Sequence, residues 1–323
     1  MPDPLVIVAD IGGTNTRVAL ADGRVVRPES VRKFRNAEFT GIGPVLTRFM
    51  ADMGVCDVDG ACVAAAGPVR DGVATMTNLD WVIDGRALAT ATKAERVAIL
   101  NDLQAQGHAL GHIAPAHLRP LIAGPQVAGG SMLVVGLGTG VNAAPVHDTA
   151  WGRFVAPSEC GHVTMPVRTD SDLRLARFVE THGPHAHGFA GVEDVLAGRG
   201  IERLYAFVSA EAGAPDEKSS AEILAAVATG ETRAMQTARL YTRVLGNALS
   251  DLALIHLPLG GIYLIGGMSR AMTPYLGPMG LNAAFRDKGR FSDFLADFAV
   301  FVVEDDFAAL AGCAAHLAGG GRG

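Results

Sequence analysis

Three apolar runs, each followed closely by glycines, constrain the fold of this chain more than any other feature. They are residues 5–9 before Gly12 and Gly13, residues 132–135 before residues 136–140, and residues 262–265 before Gly266 and Gly267. An apolar run that ends in small residues predicts a buried strand and a turn that only small residues allow. Because backbone N–H groups in such turns can hold anions, the recurrence indicates phosphate or nucleotide loops rather than linkers.

The first two of these segments resemble each other. Residues 8–14 align with residues 134–140 at one fixed offset. A strand–turn–strand repeated once in each half predicts two related lobes that face a cleft. The length of 323 residues suits two lobes of about 150 residues each.

The hydrophobic pattern elsewhere alternates between strands and helices, which favours α/β or α+β layers. The predicted strands are residues 25–34, 60–66, 97–100 and 300–303. The predicted helices are residues 42–53, a run after Asp102 to residue 110, residues 231–256 and residues 307–317. Apolar residues recur at helical spacing in 231–256, so we expect a long helix packed on the core.

Composition excludes several classes of protein. Hydrophobic residues make up 49% of the chain, which is enough for a sizeable core and rules out a disordered chain. The 27 basic and 33 acidic residues give a net charge of −6. A polyanion would be repelled on average, so no nucleic-acid partner is expected.

Cysteine usage and the apolar stretches bear on the compartment. The four cysteines lack metal-ligand spacing and are too few for a disulfide scaffold, so we expect reduced thiols in the cytoplasm. The N-terminus has no basic start or long apolar run of the kind that signal peptides have. Prolines and glycines interrupt the uncharged residues 120–146 and 252–269. We therefore expect buried strands there and no membrane span.

Three common nucleotide and hydrolase motifs are absent from the sequence. No Gly-Lys dipeptide occurs, so the P-loop signature fails. Val141 stands where the dinucleotide-binding fingerprint needs its third glycine. No G-x-S-x-G nucleophile elbow is found either.

A run of chemically matched residues follows the first apolar segment. It consists of Ala9, Asp10, Ile11, Gly12, Gly13, Thr14, Asn15 and, after Thr16, Arg17. Its backbone N–H groups can hold an anion while the carboxylate faces Mg²⁺, directly or through water. The alternative is an ordinary hairpin turn with glycine at positive φ.

The pattern Asp-x-Gly-Gly-Thr-Asn-x-Arg resembles the first phosphate loop of the sugar-kinase, Hsp70 and actin superfamily. The rest of the chain resembles the bacterial glucokinase family more closely, in residues 100–102, 138–140, 157–162, 193–198, 266–267 and 284–291. These segments run in family order over nearly the whole chain. The resemblance implies an α/β, two-lobed actin-like ATPase (ribonuclease H-like) fold with a central cleft. It implies a small domain of residues 1–112 and 305–323 and a large domain of residues 113–304.

The resemblance also implies phosphorylation of D-glucose to glucose 6-phosphate by ATP with Mg²⁺. Asp102 would be the general base, because the attacking hydroxyl must lose its proton. Asn101 would bind a sugar hydroxyl, and Glu159, His162 and Glu193 would be further sugar ligands. From the residues alone, Asn101-Asp102 could be a helix N-cap, His162 a structural histidine and Glu193 a helix-start acid.

Nucleotide contacts follow from the same resemblance. Gly138, Thr139 and Gly140 would form the second phosphate loop, and Gly266 and Gly267 the adenosine turn. Asp10 would orient Mg²⁺ through water. A cytoplasmic homodimer that acts in glycolysis is implied as well.

Two positions depart from the family's pattern. Asn142 stands where glycine is common, and we expect it to retain the backbone geometry because Asn tolerates left-handed conformations. Cys160 replaces the first glycine of Glu-Gly-Gly-His, which could alter sugar fit or make the protein sensitive to oxidation. Two alternatives therefore stay open: a kinase for another hexose or an N-acetyl amino sugar, and a sugar sensor without turnover.

Overall fold

A computed structural model describes residues 3–76, 79–183 and 186–319. The chain divides into two compact units. The first runs to Ala114 and takes in Asp148–Ala156 and the chain from Asp305, and the second comprises Pro115–His147 and Pro157–Glu304. The predicted domain boundaries stay a prediction, and these units differ from them mainly in assigning Asp148–Ala156 to the first unit.

The described residues form both strands and helices throughout. The strands are β1 (Leu5–Ile11), β2 (Asn15–Asp22), β3 (Val25–Val26), β4 (Arg32–Arg35), β5 (Gly60–Ala65), β6 (Val69–Arg70), β7 (Val73–Thr75), β8 (Val82–Asp84), β9 (Arg96–Asn101), β10 (Leu118–Ile122), β11 (Met132–Leu137), β12 (Val141–Thr149), β13 (Gly152–Val155), β14 (Ile262–Ile265) and β15 (Val300–Val303). The α-helices are α1 (Ile42–Met53), α2 (Gly85–Thr92), α3 (Asp102–Ala109), α4 (Asp170–Thr181), α5 (Val192–Leu196), α6 (Gly198–Glu211), α7 (Ser220–Ala228), α8 (Thr232–His256), α9 (Gly267–Leu276), α10 (Leu281–Arg286) and α11 (Ala308–Gly319). Across the described ranges, no helix combines the length and the apolar character that a membrane crossing requires.

The first unit is built on a mixed sheet with strand order β3-β2-β1-β5-β9, and β4 also pairs with β2. β1, β5 and β9 are parallel, whereas β1 and β2 form an antiparallel hairpin. Successive side chains of β1 point to opposite faces. Ile7 and Ile11 join the core cluster that includes α1, and Val6 and Val8 join the cluster that includes α11. Because both faces are covered, β1 is apolar almost throughout.

The second unit repeats this arrangement. Within this unit the sheet has the order β10-β15-β14-β11-β12, with β11 antiparallel to β12 and parallel to β14. The 25-residue helix α8 is packed on the core, and the hydroxyl of its buried Tyr241 donates to the Leu196 carbonyl at 2.9 Å. An antiparallel hairpin beside a parallel strand thus occurs in each unit, as the repeated sequence segments predict.

Most predicted elements are confirmed, and one is wrong. Helix 42–53 is α1, and helix 231–256 is α8, whose first turn is capped by the side chain of Glu231. The predicted strand 25–34 is instead broken into β3 and β4 by a short 3-10 turn over Pro28–Ser30. Proline lacks the N–H that a continuous ladder needs, and the Ser30 hydroxyl bonds the Leu20 N–H at 2.9 Å there.

Candidate active site

The first glycine turn lies at the tip of the β1–β2 hairpin. The Gly12 N–H donates to the Asn15 carbonyl at 3.0 Å, and Gly13 and Thr14 are exposed. Neither Gly12 nor Gly13 has a positive φ, so left-handed backbone is not the reason for these glycines. The turn instead leaves its backbone open to solvent. This geometry suits a ligand that is held by backbone N–H groups.

The buried Asn36 is hydrogen-bonded to this turn, although the sequence analysis did not single it out. Its Nδ2 donates to the Gly12 carbonyl at 2.7 Å, and its N–H donates to the Thr14 carbonyl at 3.0 Å. Its Oδ1 accepts from the buried Thr16 hydroxyl at 2.8 Å. Asn36 is only 2% exposed. It follows β4 with no recognisable pattern, so no sequence signal marks it.

Asp10 is the carboxylate at the end of this hairpin. It lies opposite Arg17 in the strand register, and Arg17 Nη1 is 3.5 Å from Asp10 Oδ2. Burial raises the pKa of Asp10, and the charge and hydrogen bond of Arg17 partly oppose that shift. The side chains of Ala9 and Ile11 lie in the core, which leaves only their backbone to face a nucleotide.

The fit of Asp10 to a metal can be judged from its neighbours. In the part of the chain that the structure describes, no three His, Cys, Asp or Glu residues are grouped to hold a metal ion. Mg²⁺ commonly keeps several waters and binds one or two carboxylates together with substrate phosphates. A single partly desolvated carboxylate beside a phosphate-binding turn fits that mode of binding.

Asn101 and Asp102 lie where β9 gives way to α3. Asn101 caps the helix: its Oδ1 accepts from the Leu103 N–H at 3.0 Å, and its Nδ2 donates to the Gly67 carbonyl at 3.0 Å. Asp102 Oδ1 accepts from the same Leu103 N–H at 2.8 Å. The cap interpretation is thus confirmed for Asn101. The amide nitrogen carries two N–H groups, so the bond to Gly67 leaves one of them for a ligand.

Asp102 has an unusual electrostatic setting. Desolvation by the surrounding protein raises its pKa to about 6, although the side chain still reaches solvent. The Leu103 N–H lowers the pKa, the nearby charge of Asp10 raises it, and Asn101 lowers it. A carboxylate poised near neutral pH is typical of general bases.

The second glycine turn lies at the tip of the β11–β12 hairpin in the other unit. The Gly138 N–H donates to the Gly140 carbonyl at 2.9 Å, and the Gly198 N–H donates to the Gly138 carbonyl at 2.8 Å. Thr139 is exposed, and a Cβ on Gly138 would meet nothing within 4 Å. The space beside Gly138 is therefore open for a phosphate group.

Glu193 lies at the start of α5 and contacts the residues that follow this turn. Its Oε2 accepts from the Val141 N–H at 2.9 Å. A Cβ on Gly140 would lie 2.7 Å from the same oxygen. A side chain at position 140 would displace this carboxylate. The helix-start interpretation does not account for the contact with Val141.

Glu159 and His162 lie on a short 3-10 turn. The His162 N–H donates to the Glu159 carbonyl at 3.1 Å, and both side chains are exposed. A Cβ on Gly161 would lie only 1.9 Å from the Val141 carbonyl oxygen. Glycine is required there because the turn is pressed against β12. The exposure of His162 argues against a buried structural histidine.

The left-handed backbone that asparagine tolerates is not used at Asn142. Asn142 lies within β12 and is not among the residues with positive φ. Its side chain instead bonds residues of the 3-10 turn, including the Cys160 N–H, which donates to Asn142 Oδ1 at 3.2 Å. The half-buried Cys160 has its thiol pKa raised by burial, which disfavours the thiolate.

The third glycine turn joins β14 to α9. Gly266 has a φ of +99°, and a Cβ there would lie 2.3 Å from the Leu137 carbonyl oxygen. Leu137 directly precedes Gly138, so this turn abuts the second glycine turn. Gly267, by contrast, has open space around it. Only glycine satisfies both requirements at position 266.

Each unit thus gathers its own predicted residues. In the first, β1 and β9 both lie parallel to β5, so Asp10 and Asn101 lie at the same edge of the sheet. In the second, the glycine turns, Glu193 and the 3-10 turn meet at the Val141 end of β12. The first set can hold an anion beside a poised carboxylate, and the second can hold phosphate and sugar hydroxyls.

Comparison with known proteins identifies the family. A family model described as Glucokinase matches residues 7–319. The chain belongs to the glucokinase family. A glucokinase from Sinorhizobium medicae is 33% identical to this family member over 318 residues, which cover 96% of this chain and 91% of that protein.

Solved structures of glucokinases share the fold. One from an Antarctic psychrotroph is 29% identical, with a TM-score of 0.88 and coverage of 98% of each chain. One from Balamuthia mandrillaris, in complex with glucose, is 23% identical, with a TM-score of 0.78 and coverage of 99% of this chain and 94% of that one. This glucokinase family member therefore has the actin-like ATPase fold that its sequence predicts.

Proposed function

We propose that the protein transfers the γ-phosphoryl group of ATP to the 6-hydroxyl of D-glucose, with Asp102 as the general base. Family membership supports the reaction. The observation that carries the assignment of the base is the Asp102 carboxylate, whose pKa is raised to about 6. At neutral pH such a group is mostly ionised, yet it is more basic than an ordinary aspartate.

The hydrogen bonds of Asp102 suit this role. The Leu103 N–H fixes Oδ1 at 2.8 Å, so the carboxylate is oriented before substrate arrives. As the P–O bond forms, the sugar hydroxyl would pass its proton to Asp102. The charge of Asp10 helps to keep Asp102 basic.

The sugar would be bound by Asn101, Glu159, His162 and Glu193. Asn101 retains one N–H beyond its bond to Gly67. The exposed carboxylate and imidazole of the 3-10 turn can pair with hydroxyls, which are both donors and acceptors. A sugar with a misplaced hydroxyl would leave such groups unpaired, which gives discrimination.

The phosphates of ATP would be held by backbone groups of the two glycine turns. Gly13 and Thr14 of the first turn and Thr139 of the second are exposed. Gly266 and Gly267 would receive the adenosine. Mg²⁺, when bound with the nucleotide, would neutralise charge on the transferred phosphoryl group. Asp10 would hold that ion through water, and Arg17 would balance the carboxylate.

A coupled assay of glucose 6-phosphate formation tests the proposal on wild type and Asp102→Ala together. We expect wild-type activity with MgATP and a loss of roughly 10²- to 10⁴-fold in the variant. A variant that keeps near wild-type turnover would remove Asp102 as the base. If wild type forms no product while glucose still raises its melting temperature, the protein is a sugar sensor.

Three further attributes belong to the proposal. We expect a homodimer, on the family resemblance, and size-exclusion chromatography with light scattering tests it. We place the enzyme in the cytoplasm, where it would supply glycolysis with glucose 6-phosphate. The four cysteines are free in the structure, which suits a reducing compartment.

A further inference from the structure

Asn142 of β12 and Cys160 of the 3-10 turn contact each other. The Cys160 N–H donates to Asn142 Oδ1 at 3.2 Å. Both residues lie in the second unit, Asn142 in β12 and Cys160 in the 3-10 turn that carries Glu159. A glycine at position 142 would offer no side chain to receive this bond.

Asn142 makes further contacts with the same turn. Its Oδ1 also accepts from the Ser158 hydroxyl at 3.1 Å, and its Nδ2 donates to the Ser158 carbonyl. Nδ2 lies 3.4 Å from Glu159 Oε2 as well. One amide side chain therefore contacts three consecutive residues, and one of these is a proposed sugar ligand.

One part of the turn borders an open pocket, although Gly161 packs against β12. A cavity of about 390 Å³ is lined by Ser158, Glu159 and Cys160 on one side and mainly by apolar residues of β11, β12 and α8 on the other. Side chains that border a void lose the contacts that would fix them. The bonds from Asn142 are therefore important for holding the turn in place.

Val141, which precedes Asn142 in β12, contacts a second carboxylate that is proposed to bind sugar. The Val141 N–H donates to Glu193 at 2.9 Å, whereas the Asn142 side chain contacts Glu159. Two adjacent residues thus hold the two carboxylates proposed to bind sugar. The same two residues directly follow the second phosphate turn.

We propose that Asn142 is a positioning residue that fixes Glu159 for the sugar and thereby narrows hexose specificity. This inference rests on the proposed function. The Glu159 carboxylate pairs with a sugar hydroxyl only while Asn142 holds the turn in place. Loss of the amide lets the turn relax into the cavity and lets sugars with altered hydroxyls compete better.

The first test is Asn142→Gly, which installs the residue common in the family. We expect the KM for glucose to rise roughly 3- to 10-fold, as expected for the loss of one or two net hydrogen bonds. The kcat and the KM for ATP should change less than about 2-fold, and discrimination between glucose and mannose should fall. Asn282→Ala, an exposed position on α10, is the matched control and should change none of these values.

A second variant, Asn142→Asp, probes the contact with Glu159 directly. It keeps an acceptor for the Cys160 N–H but places a second carboxylate beside Glu159. Adjacent carboxylates raise each other's pKa, so protonation at low pH restores a donor. We expect the KM for glucose of this variant to fall as pH is lowered from about 8 to about 5, relative to wild type.

The outcomes separate the two proposals. If wild type forms no glucose 6-phosphate, the proposed function fails, and calorimetric binding of glucose to the same variants still judges Asn142. If wild type is active and both variants keep its glucose KM, the inference is wrong. A change in melting temperature alone, without the KM shift or the pH dependence, also overturns it. Should Asn142→Gly fail to fold, the nearly isosteric Asn142→Asp decides.

Discussion

Glu193 Oε2 accepts a hydrogen bond from the Val141 N–H at 2.9 Å, and the same oxygen lies 2.7 Å from where a side chain on Gly140 would begin. Glu193, a proposed sugar ligand, therefore packs directly against the start of β12, the strand that follows the second proposed phosphate loop. A side chain at position 140 would displace this carboxylate from the Val141 N–H, whereas a Cβ at position 138 would meet nothing within 4 Å.

Gly140→Ala and Gly138→Ala should consequently differ. The first displaces the Glu193 carboxylate from the Val141 N–H, so we expect a glucose KM raised roughly tenfold, as for the loss of one or two hydrogen bonds. The cost in folding stability should be small, because only the end of a flexible side chain has to move. The second has open space in the free protein, so its folding stability should be unchanged and its KM for ATP raised. Steady-state kinetics in both substrates and chemical denaturation distinguish them. Equal effects of both substitutions on glucose KM would contradict the assignment.

The rate should depend on pH through Asp102. A general base must be unprotonated, and the pKa of Asp102 is raised to about 6. We expect kcat/KM to be nearly constant at neutral pH and to fall about tenfold per unit well below pH 6. Initial rates measured over a series of pH values, at glucose concentrations well below its KM, check this. An acid limb centred near pH 4 would show that Asp102 behaves as an ordinary carboxylate.

Asp102 should also lower folding stability where it is ionised. Because its folded pKa lies above the unfolded value, the folded state binds the proton more tightly, so ionisation destabilises the fold as pH rises through about 4 to 6. We expect Asp102→Asn to raise the melting temperature at pH 8 and to raise it less near pH 4. Asp57→Asn, at an exposed loop position, is the control and should show no such difference. Calorimetry at both pH values measures it.

Asn36 should be needed for the first phosphate turn. Asn36→Ala leaves the Gly12 carbonyl and the buried Thr16 hydroxyl without their partner. Leaving buried polar groups unpaired costs about 1–3 kcal/mol, and we expect the KM for ATP to rise several-fold. Thr16→Val breaks only the bond to Asn36 Oδ1 and should affect ATP less. Urea denaturation and ATP kinetics test both, and an unchanged ATP KM in Asn36→Ala would argue against this role.

Sequence reasoning located the elements whose signals are local. The helix over 42–53 and the strand ends at Asp10 and Asn101 follow from hydrophobic period and from polar residues after apolar runs. The glycine turns are predicted for the same reason, because a glycine marks a position where the backbone adopts a turn or a close approach that larger residues disfavour. The prediction of a strand over residues 25–34 is wrong because Pro28 has no N–H to donate to a continuous ladder, although apolar and β-branched residues surround it.

Long-range contacts could not be read in the same way. The Asn36 side chain bonds Gly12, 24 positions earlier in the chain, and the Asn142 side chain bonds Ser158, 16 positions later. Nothing near either asparagine in the chain marks its partner. The tolerance of asparagine for left-handed backbone does not apply at Asn142, because this residue lies in a strand and has no positive φ. The segment Asp148–Ala156 likewise lies in the first unit through contacts distant in sequence, and one of them joins the Arg153 side chain to the His108 carbonyl at 3.2 Å.

The packing of α11 has a consequence for biosynthesis. Gly312 lies so close to α3 that a Cβ would be 1.7 Å from the Ala105 carbonyl, and Arg96 donates to the Leu317 carbonyl at 3.2 Å. The ribosome therefore releases β1, β5 and β9 long before the helix that covers one face of their sheet. The apolar side chains of Val6 and Val8 therefore lack this cover until the chain has been synthesised through α11. The first unit contains β1, which is synthesised early, but it is completed only after the second unit has been synthesised.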